Sequence, residues 1–205
     1  MVTTHIYYIY YTHDYARQPQ KYDVVLASAS PRRRELLAGL GIDFRIEVIK
    51  GIEETYPDSL PTDKIPEYLS QLKAHAYKLA PGELLIAADT VVILDGEVIG
   101  KPCDEAEACA MLRKLSGNTH TVITGVTVST LERTVSFSSH SQVEFAPLTD
   151  DEISYYVNHY HPLDKAGSYG IQEWIGYAAV KGITGSFYNV MGLPIQRLYT
   201  VLKSF

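Results

Sequence analysis

The stretch from Tyr22 to Gly41, YDVVLASASPRRRELLAGLG, places a short apolar strand, a polar junction and a helix in direct succession. Tyr22 to Ala27 reads as a largely buried strand. Ser30 suits a helix N-cap, Pro31 the first helical position, and Gly41 the stop. Leu36, Leu37 and Leu40 then share one face of that helix, the face expected to pack inward. A strand feeding a helix in this way is the repeating unit of α/β folds.

The pattern continues outward from that unit. Phe44 to Val48 reads as a second strand, and Lys50 to Pro61 as a polar loop. Ile65, Tyr68, Leu69 and Leu72 follow at helical spacing, with Pro81-Gly82 as the expected end. Leu84 to Ala88 is a buried strand, and Val91 to Leu94 leads into a hairpin at Asp95-Gly96. Asp104 with Glu107 starts a helix buried through Ala108, Met111, Leu112 and Leu115. Thr119 to Val128 and Thr134 to Phe145 read as two long antiparallel strands. Thr149 with Glu152 starts another helix, with Ile153, Tyr156, Val157 and Tyr160 inward. A Gly-rich stretch precedes a last helix from Pro194, striped by Ile195, Leu198, Tyr199 and Leu202. The expected fold is α/β: a mixed twisted sheet flanked by helices, one domain over residues 22–205, with room for two lobes around a cleft.

Residues 1–21 differ. Tyr7, Tyr8, Tyr10, Tyr11 and Tyr15 crowd a segment whose only basic residue before Lys21 is Arg17. A stacking platform for nucleic acid would interleave such tyrosines with many cations, so an N-terminal tail or an added edge strand is the expectation. The 205-residue chain has a formal net charge of -6, which argues against coating nucleic acid or an anionic membrane. A polyanionic ligand would need its positive charge supplied locally. Cys103 and Cys109 are too few for a disulfide framework. No apolar run approaches the ~20 residues that span a bilayer, and no signal-peptide pattern opens the chain, so the cytoplasm is the expected compartment.

Several segments carry chemistry. Ala27 to Arg33 puts two serines and two adjacent arginines at a strand-to-helix junction, where free N–H groups and the positive helix end suit an anion. In Ala87-Ala88-Asp89-Thr90-Val91-Val92 a carboxylate interrupts an apolar run, which costs several kcal/mol unless it is paired or bound to a metal. Lys101 sits on the rigid Gly100-Lys101-Pro102 turn, and Lys73 on the helix that follows the Lys50 to Pro61 loop. Glu53-Glu54 offers oxygen ligands for a hard cation. Taken singly, each has a plain alternative: a capped surface helix, a turn-organising acid, solvated lysines, a solvated acidic pair. No His/Cys cluster has zinc spacing, and no Walker loop, G-x-S-x-G elbow or G-x-G-x-x-G fingerprint is present.

Taken together and in order, SASPRR (Ser28 to Arg33), AADTVV (Ala87 to Val92), GKP (Gly100 to Pro102), SGNTHTVITGV (Ser116 to Val126), DKAGSYGIQ (Asp164 to Gln172) and GSFYNVMGLP (Gly185 to Pro194) resemble segments of the Maf family of nucleotide pyrophosphatases. The resemblance runs from about Tyr22 to the C-terminus. It implies that Asp89 is the catalytic proton acceptor. Arg32, Thr90 and Gln172 are then the positions that set substrate choice. Ser28, Arg33, Lys73 and Lys101 line the phosphate site, and Glu54 is the metal ligand, a role that Glu53 could exchange with it. The implied reaction is hydrolysis of a nucleoside triphosphate to the monophosphate and pyrophosphate, assisted by a divalent cation such as Mg²⁺ or Mn²⁺.

The Tyr-Gly-Ile-Gln wording resembles the branch acting on dTTP and UTP. A Gln172 amide can accept from N3–H and donate to a carbonyl of uracil or thymine, whereas cytosine presents the reverse pattern. The branch acting on 7-methyl-GTP is the alternative, and a nucleotide-binding division regulator without turnover is another. No nucleic-acid or membrane partner is expected, and a homodimer stays open.

Overall fold

The computed structural model describes residues 21–205. Apart from Lys21, the N-terminal tail expected over 1–21 lies outside the described residues. Strand β1 (Asp23–Leu26) leads into helix α1 (Pro31–Ala38) and then strand β2 (Phe44–Ile46). Ser30 caps α1, its hydroxyl accepting from the Arg33 N–H at 3.4 Å, and Pro31 opens the helix. Helix α2 (Ile65–His75), the long strand β3 (Glu83–Leu94) and the short β4 (Glu97–Ile99) follow.

Next come α3 (Glu105–Leu115), β5 (Thr119–Ser129), β6 (Thr134–Phe145) and α4 (Asp150–Tyr160). Asp104 accepts from the Glu107 N–H at 2.8 Å to start α3, and Thr149 with Glu152 forms a full capping box on α4. The chain closes through α5 (Trp174–Ala178), β7 (Val180–Thr184), α6 (Phe187–Met191) and α7 (Ile195–Leu202).

The seven strands of the described residues form one sheet, in the order β2-β1-β3-β5-β6-β7 with β4 also paired to β3. β1 is parallel to β2 and β3, and every other pairing is antiparallel. The mixed sheet flanked by helices is therefore as expected, and a single domain holds it. Two details differ from the sequence pattern. β3 runs unbroken through Asp89 because β5 pairs along it from Leu85↔Ser129 to Ile93↔Thr121. α2 ends at His75, well before Pro81-Gly82, because Tyr77 and Leu79 turn in against Val25, Ala74 and Leu85.

Alternation along β3 divides the interior. Leu84, Ile86, Ala88, Val92 and Leu94 join the main core with residues of α1, α3, α4, α5, α6 and α7. Leu85, Ala87 and Val91 face the other way and meet α2. Asp89 lies between Ala87 and Val91 in that alternation, on the α2 face.

Gly125 stands across from Asp89 in the β3–β5 ladder. A Cβ there would run into the backbone of Pro66 and Glu67, so only glycine lets the start of α2 lie flush on the sheet. Ser70, fully buried, then ties α2 down by a 2.8 Å hydrogen bond with the Thr127 hydroxyl. Gly125→Ala is expected to lift α2 and cost about 1–3 kcal/mol of stability, as overpacking does. Thermal unfolding of the variant checks this; an unchanged Tm would show that the close approach is not needed.

Candidate active site

The ladder beside β3 has a gap. β1 pairs with it as far as Leu26↔Ile86, and β4 takes up the same strand only at Val92↔Ile99. The Ala27 N–H still donates to the Ile86 carbonyl at 2.9 Å. Two residues further on, the Ala88 carbonyl accepts from Arg33 Nη1 at 2.9 Å. A guanidinium thus stands where a neighbouring strand would have supplied a donor, as a buried carbonyl requires.

Side chains from separate segments meet at this gap. A cleft of about 340 Å³ is lined by Ser28, Ser30, Arg32, Arg33, Glu54, Lys73 and Lys101, among others. An adjoining space of about 120 Å³ shares Ser30, Arg32, Arg33, Lys73 and Lys101, and adds Asp89, Thr90, Val92, Val122, Lys165, Tyr169 and Met191. Both spaces are rich in cations, and the second adds the apolar side chains Val92, Val122, Val190 and Met191.

Asp89 is 8% exposed, and Lys73 Nζ lies 2.6 Å from its Oδ1. The same Nζ is 3.1 Å from Glu54 Oε1, so two carboxylates converge on one cation. Glu53 does not line the cleft. Arg33 is held on several sides: Nε donates to the Gly192 carbonyl at 2.8 Å, Nη1 to Ser28 Oγ at 3.3 Å, and Nη2 to Thr90 Oγ1 at 2.9 Å. Burial draws its guanidinium below the usual range while Asp89 pulls it up, and an arginine stays charged throughout. Arg32 pairs with Asp164 at 3.2 Å, and Lys101 is exposed at the cleft mouth.

Thr90 and Asp89 are consecutive, so their side chains leave opposite faces of β3. Thr90 is engaged by Arg33 and by Thr124 Oγ1 at 2.9 Å. Gln172 is not among the residues lining either space; it is half-buried, and its Oε1 is buried without a hydrogen-bond partner. Single-residue reasoning passed over Asp164, Lys165 and Tyr169, which lie in the quoted DKAGSYGIQ segment. A lysine, 7% exposed at position 165, is unmarked in sequence because nothing nearby is apolar enough to flag its burial. Behind the cleft, His120 is 1% exposed and its Nε2 lies 2.7 Å from the Tyr169 hydroxyl. Among the described residues no three His, Cys, Asp or Glu side chains gather as a metal site, and no helix is long and apolar enough to cross a membrane.

A sheet with a cationic cleft at a break in its central ladder, beside a strand-to-helix junction, makes this an α/β protein with a site suited to a polyanion. The chain belongs to the Maf family: the family model described as "Maf-like protein" matches residues 23–205. It is 58% identical over 186 residues to a protein of Phocaeicola vulgatus named dTTP/UTP pyrophosphatase, covering 90% of this chain and 96% of the relative. A protein of Parabacteroides distasonis with the same name is 57% identical over 188 residues, covering 91% and 97%. Among solved structures, a HAM1 protein from Coxiella burnetii shares the fold at 19% identity, with a TM-score of 0.50 over 90% of this chain and 100% of that one.

Burial lowers the His120 pKa from 6.5 to about 4. Below pH 6.5 the unfolded chain takes up a proton that the folded chain refuses until about pH 4, so stability falls as the pH falls through that window. Urea unfolding at pH 7 and pH 5 is expected to differ by about 2 kcal/mol from this group. His120→Gln should reduce the difference by that amount; an unchanged pH dependence would show that His120 does not resist protonation.

Proposed function

We propose that this protein is a nucleoside triphosphate pyrophosphatase that hydrolyses dTTP and UTP to the nucleoside monophosphate and pyrophosphate. The observation that carries this reading is the buried Asp89 carboxylate, set in the gap of the β3 ladder and 2.6 Å from Lys73. Relatives that are more than half identical over nearly their whole length bear the dTTP/UTP pyrophosphatase name.

Asp89 accepts the proton of a water whose oxygen attacks the α-phosphorus. The P–O bond to the β-phosphate breaks, and pyrophosphate leaves. Lys73 orients the Asp89 carboxylate, while Lys101, Arg32 and the Ser28–Ser30 junction draw the phosphate chain into the cleft. Arg33 contributes charge and holds the buried Ser28 hydroxyl in the cleft wall. Carboxylate oxygens at the edge of the phosphate cleft suit a hard cation that arrives with its phosphate ligands. Glu54 would hold Mg²⁺ or Mn²⁺, which would neutralise the charge of the triphosphate. Arg32, Thr90 and Gln172 set the substrate: Arg32 from the cleft wall, Thr90 through Arg33, and Gln172, three residues beyond the cleft-lining Tyr169, by turning its amide to the N3–H of uracil or thymine. The domain responsible is residues 22–205, acting in the cytoplasm.

Pyrophosphate release measured with Mg²⁺ over a panel of nucleotides is expected to be far faster for UTP and dTTP than for ATP or GTP. Preference for 7-methyl-GTP would replace the proposed substrate, and no turnover would leave a binding protein. Asp89→Asn should lower kcat by about 10²–10⁴ while leaving the fold intact, as circular dichroism would show. A folded variant with unaltered kcat would remove Asp89 from the role of base.

A further inference from the structure

Gln172 is presented by a four-residue turn, in which the Glu173 N–H donates to the Gly170 carbonyl at 3.0 Å. Both ends of that turn reach the same hydroxyl. Tyr156 Oη accepts from the Gly170 N–H at 2.9 Å and donates to Glu173 Oε2. Tyr156 is fully buried on α4, so its ring does not move to follow the loop. A phenol has one proton to give and here gives it to a carboxylate, while its lone pair takes a backbone N–H. Burial, and then Glu173, push the Tyr156 phenol far above its usual range, which keeps that proton in place.

The carboxylate end is fixed a second time. Glu173 Oε1 lies 3.3 Å from Lys165 Nζ, which is 2.7 Å from Asp164 Oδ1. Asp164 in turn pairs with Arg32 at 3.2 Å. Signs alternate along this row, so a buried lysine is matched without surplus charge. Gly170 has no side chain for a specific reason: a Cβ there would sit 2.8 Å from the Glu173 carboxyl carbon. The turn, the tyrosine and the charge row therefore form one unit running from the cleft wall to Gln172.

We propose that Tyr156 and Glu173 are positioning residues for base selection, clamping both ends of the turn that presents Gln172. This rests on the reading of the protein as a UTP and dTTP pyrophosphatase. Neither residue touches the substrate. Each acts by fixing the turn from which the Gln172 amide reaches the uracil or thymine edge, and small displacements of such a group are costly.

The test is steady-state kinetics with UTP and CTP for the wild type, Tyr156→Phe, Glu173→Ala and Glu173→Gln, each checked by thermal unfolding. Tyr156→Phe removes the hydroxyl from both ends of the turn. It is expected to raise KM for UTP about tenfold, hold kcat within about threefold, and lower the UTP-to-CTP ratio of kcat/KM about tenfold. Glu173→Ala, which frees one end only, should shift the ratio in the same direction and serves where Tyr156→Phe does not fold. Glu173→Gln keeps an acceptor for the tyrosine and should retain most of the wild-type ratio. An equal loss for both nucleotides, or an unchanged ratio, in the folded Tyr156→Phe or Glu173→Ala protein overturns the clamp while leaving the functional reading intact. A wild type that does not prefer UTP over CTP overturns both.

Discussion

The hydrogen bond from Arg33 to the Ala88 carbonyl occupies the point where β3 has lost β1 and not yet met β4. An unpaired buried carbonyl is costly, and water filling the gap would leave nothing to hold its two sides together. The guanidinium satisfies the carbonyl and, with its other donors, ties in Ser28, Thr90 and Gly192. A single side chain thereby joins α1, the central strand and the segment after α6. The cleft exists because a sheet opened here is closed by an arginine and not by another strand.

The two faces of β3 are used differently at that opening. Asp89 looks toward Lys73 of α2 and Glu54 of the loop before it, and Thr90 looks into the main core side. In an intact sheet the two faces would be separated by the backbone. At the gap they open into one cleft, so the α2 face supplies carboxylates and a lysine while the α1 face supplies arginines and serines. Gly125 makes this possible at a distance. Its missing side chain sets how closely α2 lies on the sheet, and so where Lys73 meets Asp89.

Charge is managed locally in a chain whose net charge is -6. Three of the buried or half-buried cations around the cleft have carboxylates, Lys73 with Asp89 and Glu54, Lys165 with Asp164 and Glu173, and Arg32 with Asp164, whereas Arg33 is held by carbonyls and hydroxyls. Lys101, exposed, lacks such a partner among the described residues. A triphosphate entering the cleft would compete with these carboxylates for their cations, a demand that a divalent metal bound with the nucleotide would ease.

Much of the fold was legible because the residues concerned act through their own neighbours. Ser30 with Pro31, Asp104 with Glu107 and Thr149 with Glu152 cap helices by hydrogen bonds only a few residues long, and those starts fall where expected. The long β5 and β6 alternate visibly, and the Asp89 carboxylate stands out against its apolar frame. The five-residue α5, β7 and α6 were not legible. They are too short for a periodicity, and α6 is held from outside, through Asn189 bonded to the Val122 carbonyl and the Ser141 hydroxyl. The sequence by itself determined the order of the main elements, the strand-to-helix anion junction and the identity of the charged groups. Only the tertiary structure decided that Arg33 bridges a gap, that Lys73 lies between Asp89 and Glu54, and that Tyr156 holds the turn carrying Gln172. Each of those is a contact between residues distant along the chain, set by how sheet and helices pack, and no local pattern encodes it.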